Sequence, residues 1–201
     1  VIMGTEADTF ADETEQAVSY EAFLSEQATA EPEDQLLGGP MFYTSGTTGH
    51  PKGVKSGLSQ TGAPVDVLKM IGEGISGMLG IASGGKSLLV GPVYHSAQWA
   101  FSFLPLLAGT SVVMRHKFDG EEVLRLIDQY QITNTHLVPT QFTRMLRLGD
   151  GIRKAFDGSS LGAVWHGAAP CPPQIKRRMI EWWGPVINEY YGSTEGSIVT
   201  T

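Results

Sequence analysis

Asp119–Leu148 reads DGEEVLRLIDQYQITNTHLVPTQFTRMLRL, and this stretch decides the fold class. Asp119 precedes a run in which Val123, Leu126, Ile127 and Tyr130 recur at helical spacing, with Glu122 placed for a capping box. Ile132–Val138 then reads as a strand, and Pro139 opens a second helix over Thr140–Leu148.

The same alternation extends outward in both directions. Upstream, Pro64–Ile81 places Leu68, Ile71, Ile75, Met78 and Leu79 on one helical stripe. Ser87–Val90 reads as a short strand, Ala97–Leu107 as a buried helix and Thr110–Arg115 as the next strand. Downstream come a strand at Ala163–His166, a helix at Pro172–Trp183 and a strand at Val186–Tyr190. Such alternation predicts an α/β fold: a mostly parallel sheet built from right-handed βαβ units, with helices on both faces. Nearer the start, Met41–Tyr43 reads as a strand, and Ser19 is placed to cap a short helix over Tyr20–Glu26. Residues 1–40 form an acidic, loop-rich lead-in, with the main portion over 41–201. No internal repeat is present.

Composition narrows the function classes. Before Lys52 there are ten acidic residues and no Lys or Arg, so the net charge of −7 hides a mildly basic remainder suited to a polyanionic ligand. The basic residues are scattered and show no nucleic-acid stripe. No apolar run is long enough to span a bilayer, and no leader is visible. Cys171 is the single cysteine, which excludes an intramolecular disulfide and agrees with a cytoplasmic setting.

Tyr43–Val54 reads YTSGTTGHPKGV. Gly46, Gly49 and Gly53 let the backbone turn and approach a ligand. Thr44, Ser45, Thr47 and Thr48 supply hydroxyls, and Pro51 directs Lys52, so the loop has the makings of a polyphosphate cradle. Three further segments stand at strand ends in the predicted layout, where open parallel sheets bind ligands. They are GPVYHSAQW around His95, WHGAAPCPP at Trp165–Pro173 and NEYYGSTEG at Asn188–Gly196.

In this order, these segments resemble the signature loops of the adenylate-forming superfamily, which includes acyl-CoA synthetases, luciferases and peptide-synthetase adenylation domains. The resemblance runs from about Met41 to the last residue and implies part of a larger N-terminal domain. It also implies an acid–thiol ligase that joins a carboxylic acid, of hydrophobic or fatty character, to ATP as acyl-AMP and then forms the coenzyme A thioester. On that reading Thr44, Ser45, Gly46, Thr47, Thr48, Gly49 and Lys52 hold the β- and γ-phosphates. Thr194 contacts the α-phosphate and Glu195 binds Mg²⁺. Tyr191 stacks on adenine opposite Gly167, Ala168 and Ala169, within the Gly192–Ser193–Thr194 turn. His95 and Trp99, one helical turn apart, wall the acyl pocket. The chain opens on Val1 and stops at Thr201, and both ends look like cuts through a longer protein. The family's ribose-binding aspartate and mobile lysine fall outside these residues, so the fragment alone is expected to be inactive.

Two other strings invite different readings. Gly80–Ser87, GIASGGKS, fits the Walker pattern and keeps a P-loop NTPase alternative open, although it leaves a helix and enters a strand, the reverse of a P-loop. Gly72–Gly77, GEGISG, fits a dinucleotide pattern from inside a helix, where close helix packing is the simpler role for Gly72, Gly74, Gly77 and Gly80. A non-catalytic nucleotide-binding module is the remaining alternative.

Overall fold

The computed structural model describes residues 19–46, 49–55, 61–194 and 197–200, which fall into two units divided between Gln35 and Leu36. The first unit contains helix α1 (Tyr20–Ser25). Ser19 occupies its N-cap position, but its side chain makes no capping bond, contrary to expectation.

The second unit is built on five parallel strands: β3 (Lys86–Leu89), β4 (Ser111–Met114), β5 (Asn134–Leu137), β6 (Ala163–His166) and β7 (Ile187–Glu189). Their spatial order is β4-β3-β5-β6-β7. The helices before and between them are α2 (Asp66–Met78), α3 (Ser96–Leu107), α4 (Gly120–Tyr130), α5 (Pro139–Leu146), α6 (Asp150–Ala155) and α7 (Pro173–Trp183). Side-chain alternation along β6 shows how the sheet is covered. Val164 joins a cluster with Val123, Ile127, Phe142 and Met179 from α4, α5 and α7. Ala163 and Trp165 join a second cluster with Leu79, Ile81 and Phe101, beside α2 and α3. Successive residues of a strand point to opposite faces, so helices lie on both sides of the sheet, as the alternation in the sequence predicts.

Three features depart from the sequence reading. Met41–Thr44 (β1) does not join the parallel sheet; it pairs antiparallel with Lys52–Lys55 (β2) as a separate hairpin. Tyr191–Ser193 (β8) and Ser197–Thr200 (β9) form another two-stranded antiparallel pair just after β7. Helix α6 is too short and too polar to have shown a periodic pattern.

The capping box at α4 is half built. The Glu122 amide donates to Asp119 Oδ1 at 2.9 Å, whereas the Glu122 carboxylate turns to Arg125 at 2.7 Å instead of to the Asp119 amide. The glycines of α2 also separate by role. At Gly72 an added Cβ would lie 2.3 Å from Leu107 Cβ, so this glycine lets α2 and α3 pack closely. Gly74 and Gly77 face open space, and Gly80 ends the helix at φ 65°.

Gly72→Ala therefore forces two packed helices apart and should cost about 1–3 kcal/mol. Gly74→Ala, with room for its methyl and better helix propensity, should not destabilise. Urea titrations of the two variants test the contrast.

Candidate nucleotide and acyl site

The strand order reverses at β3: β4 lies on one side and β5 on the other. The connections leaving these strands diverge there, which opens a crevice at the carboxyl ends, the usual ligand position in such sheets. His95, exposed at the N-cap of α3, follows β3. Leu137, His166 and Glu189 lie side by side at the ends of β5, β6 and β7.

The Tyr43–Val54 loop is the turn of the β1–β2 hairpin, with Thr44 opposite Lys52 in register. Gly46 has φ 68°, and a Cβ there would come 2.1 Å from the His50 carbonyl oxygen, so only glycine fits this turn. The Lys52 stem passes 3.6 Å from that same Cβ position, which keeps the cation beside the loop. Thr44 Oγ1 is buried without a hydrogen-bond partner among the described residues. An unpaired buried hydroxyl is costly, and a ligand oxygen would satisfy it. Thr47, Thr48, Glu195 and Gly196 lie outside the described residues.

Contacts knit the four sequence segments together. Phe42 of the hairpin meets Trp99 of α3 edge-on at 5.6 Å, and Trp99 stacks on Phe103 at 4.7 Å. Ser96 Oγ, at the start of α3, lies 3.3 Å from Thr194 Oγ1. Gly167 admits the Tyr190 ring, which a Cβ would approach to 2.6 Å. Between the segments after β6 and β7 lies a cavity of about 770 Å³, lined by Trp165, Ala168, Ala169, Glu189, Tyr190 and Tyr191 among others. Ala168 holds φ 67°, a left-handed conformation that an alanine adopts only under constraint. Tyr190, between β7 and β8, turns inward against Gly167, whereas Tyr191 is 72% exposed.

Several polar groups here were not singled out by sequence. Gln98 Nε2 lies 2.8 Å from His136 Nδ1, and His136 Nε2 lies 3.0 Å from Tyr190 Oη. Burial, with His166 adding to it, pushes His136 down to about 4. His166 is fully buried with neither ring nitrogen hydrogen-bonded among the described residues. Burial likewise holds it below the ordinary imidazole range, against the pull of Glu189. Glu189 is in turn paired with Lys176 at 2.8 Å, which lowers its carboxyl. The signal for Gln98 was a lone amide in a mostly apolar helix, and for His136 an imidazole within the strand Asn134–Leu137. Neither says what the group bonds to. Cys171 packs against the core and its thiol is raised, chiefly by burial.

Lys86, by contrast, stands at the amino end of β3, and the Walker-like string runs from α2 into that strand. Its backbone does not open a helix, so it does not form a P-loop. Among the described residues no group of three or more His, Cys, Asp or Glu could hold a metal ion, and no helix is long and apolar enough to cross a membrane.

Residues 3–201 match the family model described as AMP-binding enzyme, and the chain belongs to that adenylate-forming family. It is 33% identical over 170 residues to the medium/long-chain-fatty-acid–CoA ligase FadD8 of Mycobacterium tuberculosis, covering 85% of this chain and 28% of the relative. To the indoleacetate–CoA ligase of Aromatoleum aromaticum it is 32% identical over 183 residues, 89% of this chain and 34% of that one. Among solved structures it resembles the O-succinylbenzoate coenzyme A synthetase of Bacillus subtilis in complex with AMP. That match has a TM-score of 0.67 and 25% identity, over 92% of this chain and 37% of the other. The chain thus spans about a third of the length of these relatives.

The buried histidines give the fold a definite acid response. His136 is neutral when folded but takes a proton at its ordinary pKa when unfolded. Its contribution to stability is therefore fully present above pH 6.5 and is lost as pH falls from 6.5 to about 4. That loss amounts to about 3 kcal/mol from this one group. His166 acts in the same direction. Urea midpoints measured across this range should slope steeply, and His136→Asn should flatten most of the slope.

Proposed function

We propose that this chain carries the nucleotide and acyl-binding portion of an AMP-forming acid–thiol ligase. The observation that supports it best is the linkage of the four segments: Phe42 to Trp99, Ser96 to Thr194, and Tyr190 to Gly167. Segments far apart in sequence meet where phosphates, an acid and a purine must meet. The relatives named as CoA ligases, and the structural neighbour in complex with AMP, point the same way.

In the proposed reaction a carboxylate oxygen of the acid attacks the α-phosphorus of ATP. The bond from that phosphorus to the bridging oxygen breaks, pyrophosphate leaves with the electron pair, and an acyl-adenylate remains. A thiol, proposed to be that of coenzyme A, then attacks the acyl carbon and displaces AMP. The chain's own work is to hold a highly charged leaving group and present the acid in line. Ser45, Gly46, Thr47, Thr48, Gly49 and Lys52 would grip the β- and γ-phosphates, with Thr44 Oγ1 receiving the partner it lacks. Thr194 would meet the α-phosphate, and the cavity beside Gly167, Ala168, Ala169 and Tyr191 would receive adenine, next to Gly192 and Ser193. His95 and Trp99 would border the acid, whose hydrophobic character fits the Phe42–Trp99–Phe103 aromatic group. Mg²⁺ is proposed to arrive with the phosphates and to take Glu195 as its carboxylate ligand.

Two lysines test this reading against its rival. In the intact protein Lys52→Ala should cut acid-dependent ATP–pyrophosphate exchange by a factor on the order of 10²–10³, the usual cost of losing one transition-state contact. Lys86→Ala should leave it nearly unchanged. Severe loss at Lys86 with little at Lys52 would falsify the proposal.

A carboxamide at position 195 keeps the size of the side chain and removes the charge a small dication needs. Glu195→Gln should therefore raise the Mg²⁺ concentration for half-maximal exchange while circular dichroism stays unchanged. An unaltered Mg²⁺ titration counts against Glu195 as the ligand.

A further inference from the structure

Three residues, from α3, β5 and the segment after β7, form a hydrogen-bonded chain. Gln98 sits in the first turn of α3, 4% exposed, on the helix that also carries Ser96 and Trp99. Its amide is drawn in close: a Cβ on Gly91, just past β3, would lie 2.6 Å from Gln98 Cδ. Gln98 Nε2 reaches both His136 Nδ1 at 2.8 Å and the His136 carbonyl oxygen at 3.4 Å. A carbonyl oxygen only accepts, so the amide NH₂ must be the group facing His136, and Nδ1 must accept from it. With the ring neutral, its single proton is on Nε2, which donates to Tyr190 Oη at 3.0 Å. Phe101 stacks on His136 at 4.8 Å from the side of α3, which fixes the ring plane. The tautomer, the ring plane and the tyrosine are all specified by α3.

Tyr190 is where this chain of bonds meets the cavity. Its ring lies on Gly167 and forms part of the wall beside Ala168 and Glu189. We propose that Gln98 and His136 are positioning residues that set Tyr190 as the wall of the nucleotide cavity, so that the helix bordering the acid also fixes the affinity for the nucleotide. This rests on the reading of the chain as part of an adenylating ligase. A merely structural network would hold the fold together without favouring one substrate over another.

Tyr190→Phe keeps the ring and removes only the accepting oxygen, and Gln98→Met keeps the length and removes the donor. In the intact protein each should raise the KM for ATP in the exchange reaction roughly threefold to tenfold, the effect of one net hydrogen bond. The KM for the acid and kcat should stay within about twofold. The double variant should be no worse than the weaker single one, because both break the same chain. Tyr190→Phe leaves the Gln98–His136 bond in place, so it carries the test if Gln98→Met fails to fold. Unchanged ATP affinity, equal changes in both KM values, or effects that multiply in the double variant overturn the proposal. Equilibrium dialysis with labelled ATP reads the same affinities without turnover. Wild-type protein that binds ATP but shows no acid-dependent exchange overturns the adenylating reading while the dialysis still decides the relay. Wild-type protein that binds no ATP overturns both.

Discussion

A parallel sheet whose strand order turns back on itself must leave a gap where the two connections part. Here β3 is the strand from which the chain goes first to β4 and then, on the other side, to β5. The turn after β3 carries Gly91 and His95, and β5 carries His136 into the same gap. The polar residues gathered there are a consequence of that topology. Backbone at the ends of interior strands has no further strand to pair with, and side chains or ligands must complete it. The two hydrophobic clusters above and below the sheet anchor this arrangement, because Val164 and Trp165 commit the strand to opposite faces one residue apart.

The site is assembled with little charge of its own. Lys52 is the cation on the β1–β2 hairpin, and Lys176 is engaged by Glu189. Its other described groups include hydroxyls, the Gln98 amide, His95, glycine-lined turns and aromatic rings, and burial holds His136 and His166 below the ordinary imidazole range. Such a site favours a ligand that brings its own charge and counter-ion. Fixed dipoles and close backbone approach then position the ligand, and they do so without the desolvation cost of several buried ions.

Much of the architecture was legible in the sequence because its helices have strong apolar stripes and its strands are bounded by glycine or proline. α4 and β5, the stretch first quoted, fall where periodicity placed them. What escaped notice was pairing. Nothing local in Met41–Thr44 distinguishes a strand of the parallel sheet from one arm of a hairpin, since the difference lies in where Lys52–Lys55 turns back. Glu122 looked like a capping-box partner, and Arg125 three residues on outcompeted the backbone for its carboxylate. The motif segments were visible one by one, whereas the contacts of Gln98 with His136 and of Tyr190 with Gly167 depend on strand order and could be found only in three dimensions.

The β1–β2 hairpin has a property that sets it apart from the rest of the second unit. A two-stranded ribbon is marginal in isolation, and this one lies outside the five-stranded sheet, where Phe42 meets Trp99 of α3 edge-on. Its opening free energy must then lie well below that of the central strands. The molecule's mechanical hierarchy thus runs from a stiff five-stranded floor to a compliant hairpin, the element proposed to hold the phosphates. Amide exchange would see that gradient as early loss of protection at Phe42 and Val54 and late loss at Leu137 and Val164. A hairpin that can yield without disturbing the core would give the proposed leaving group a way out that costs the protein little structure.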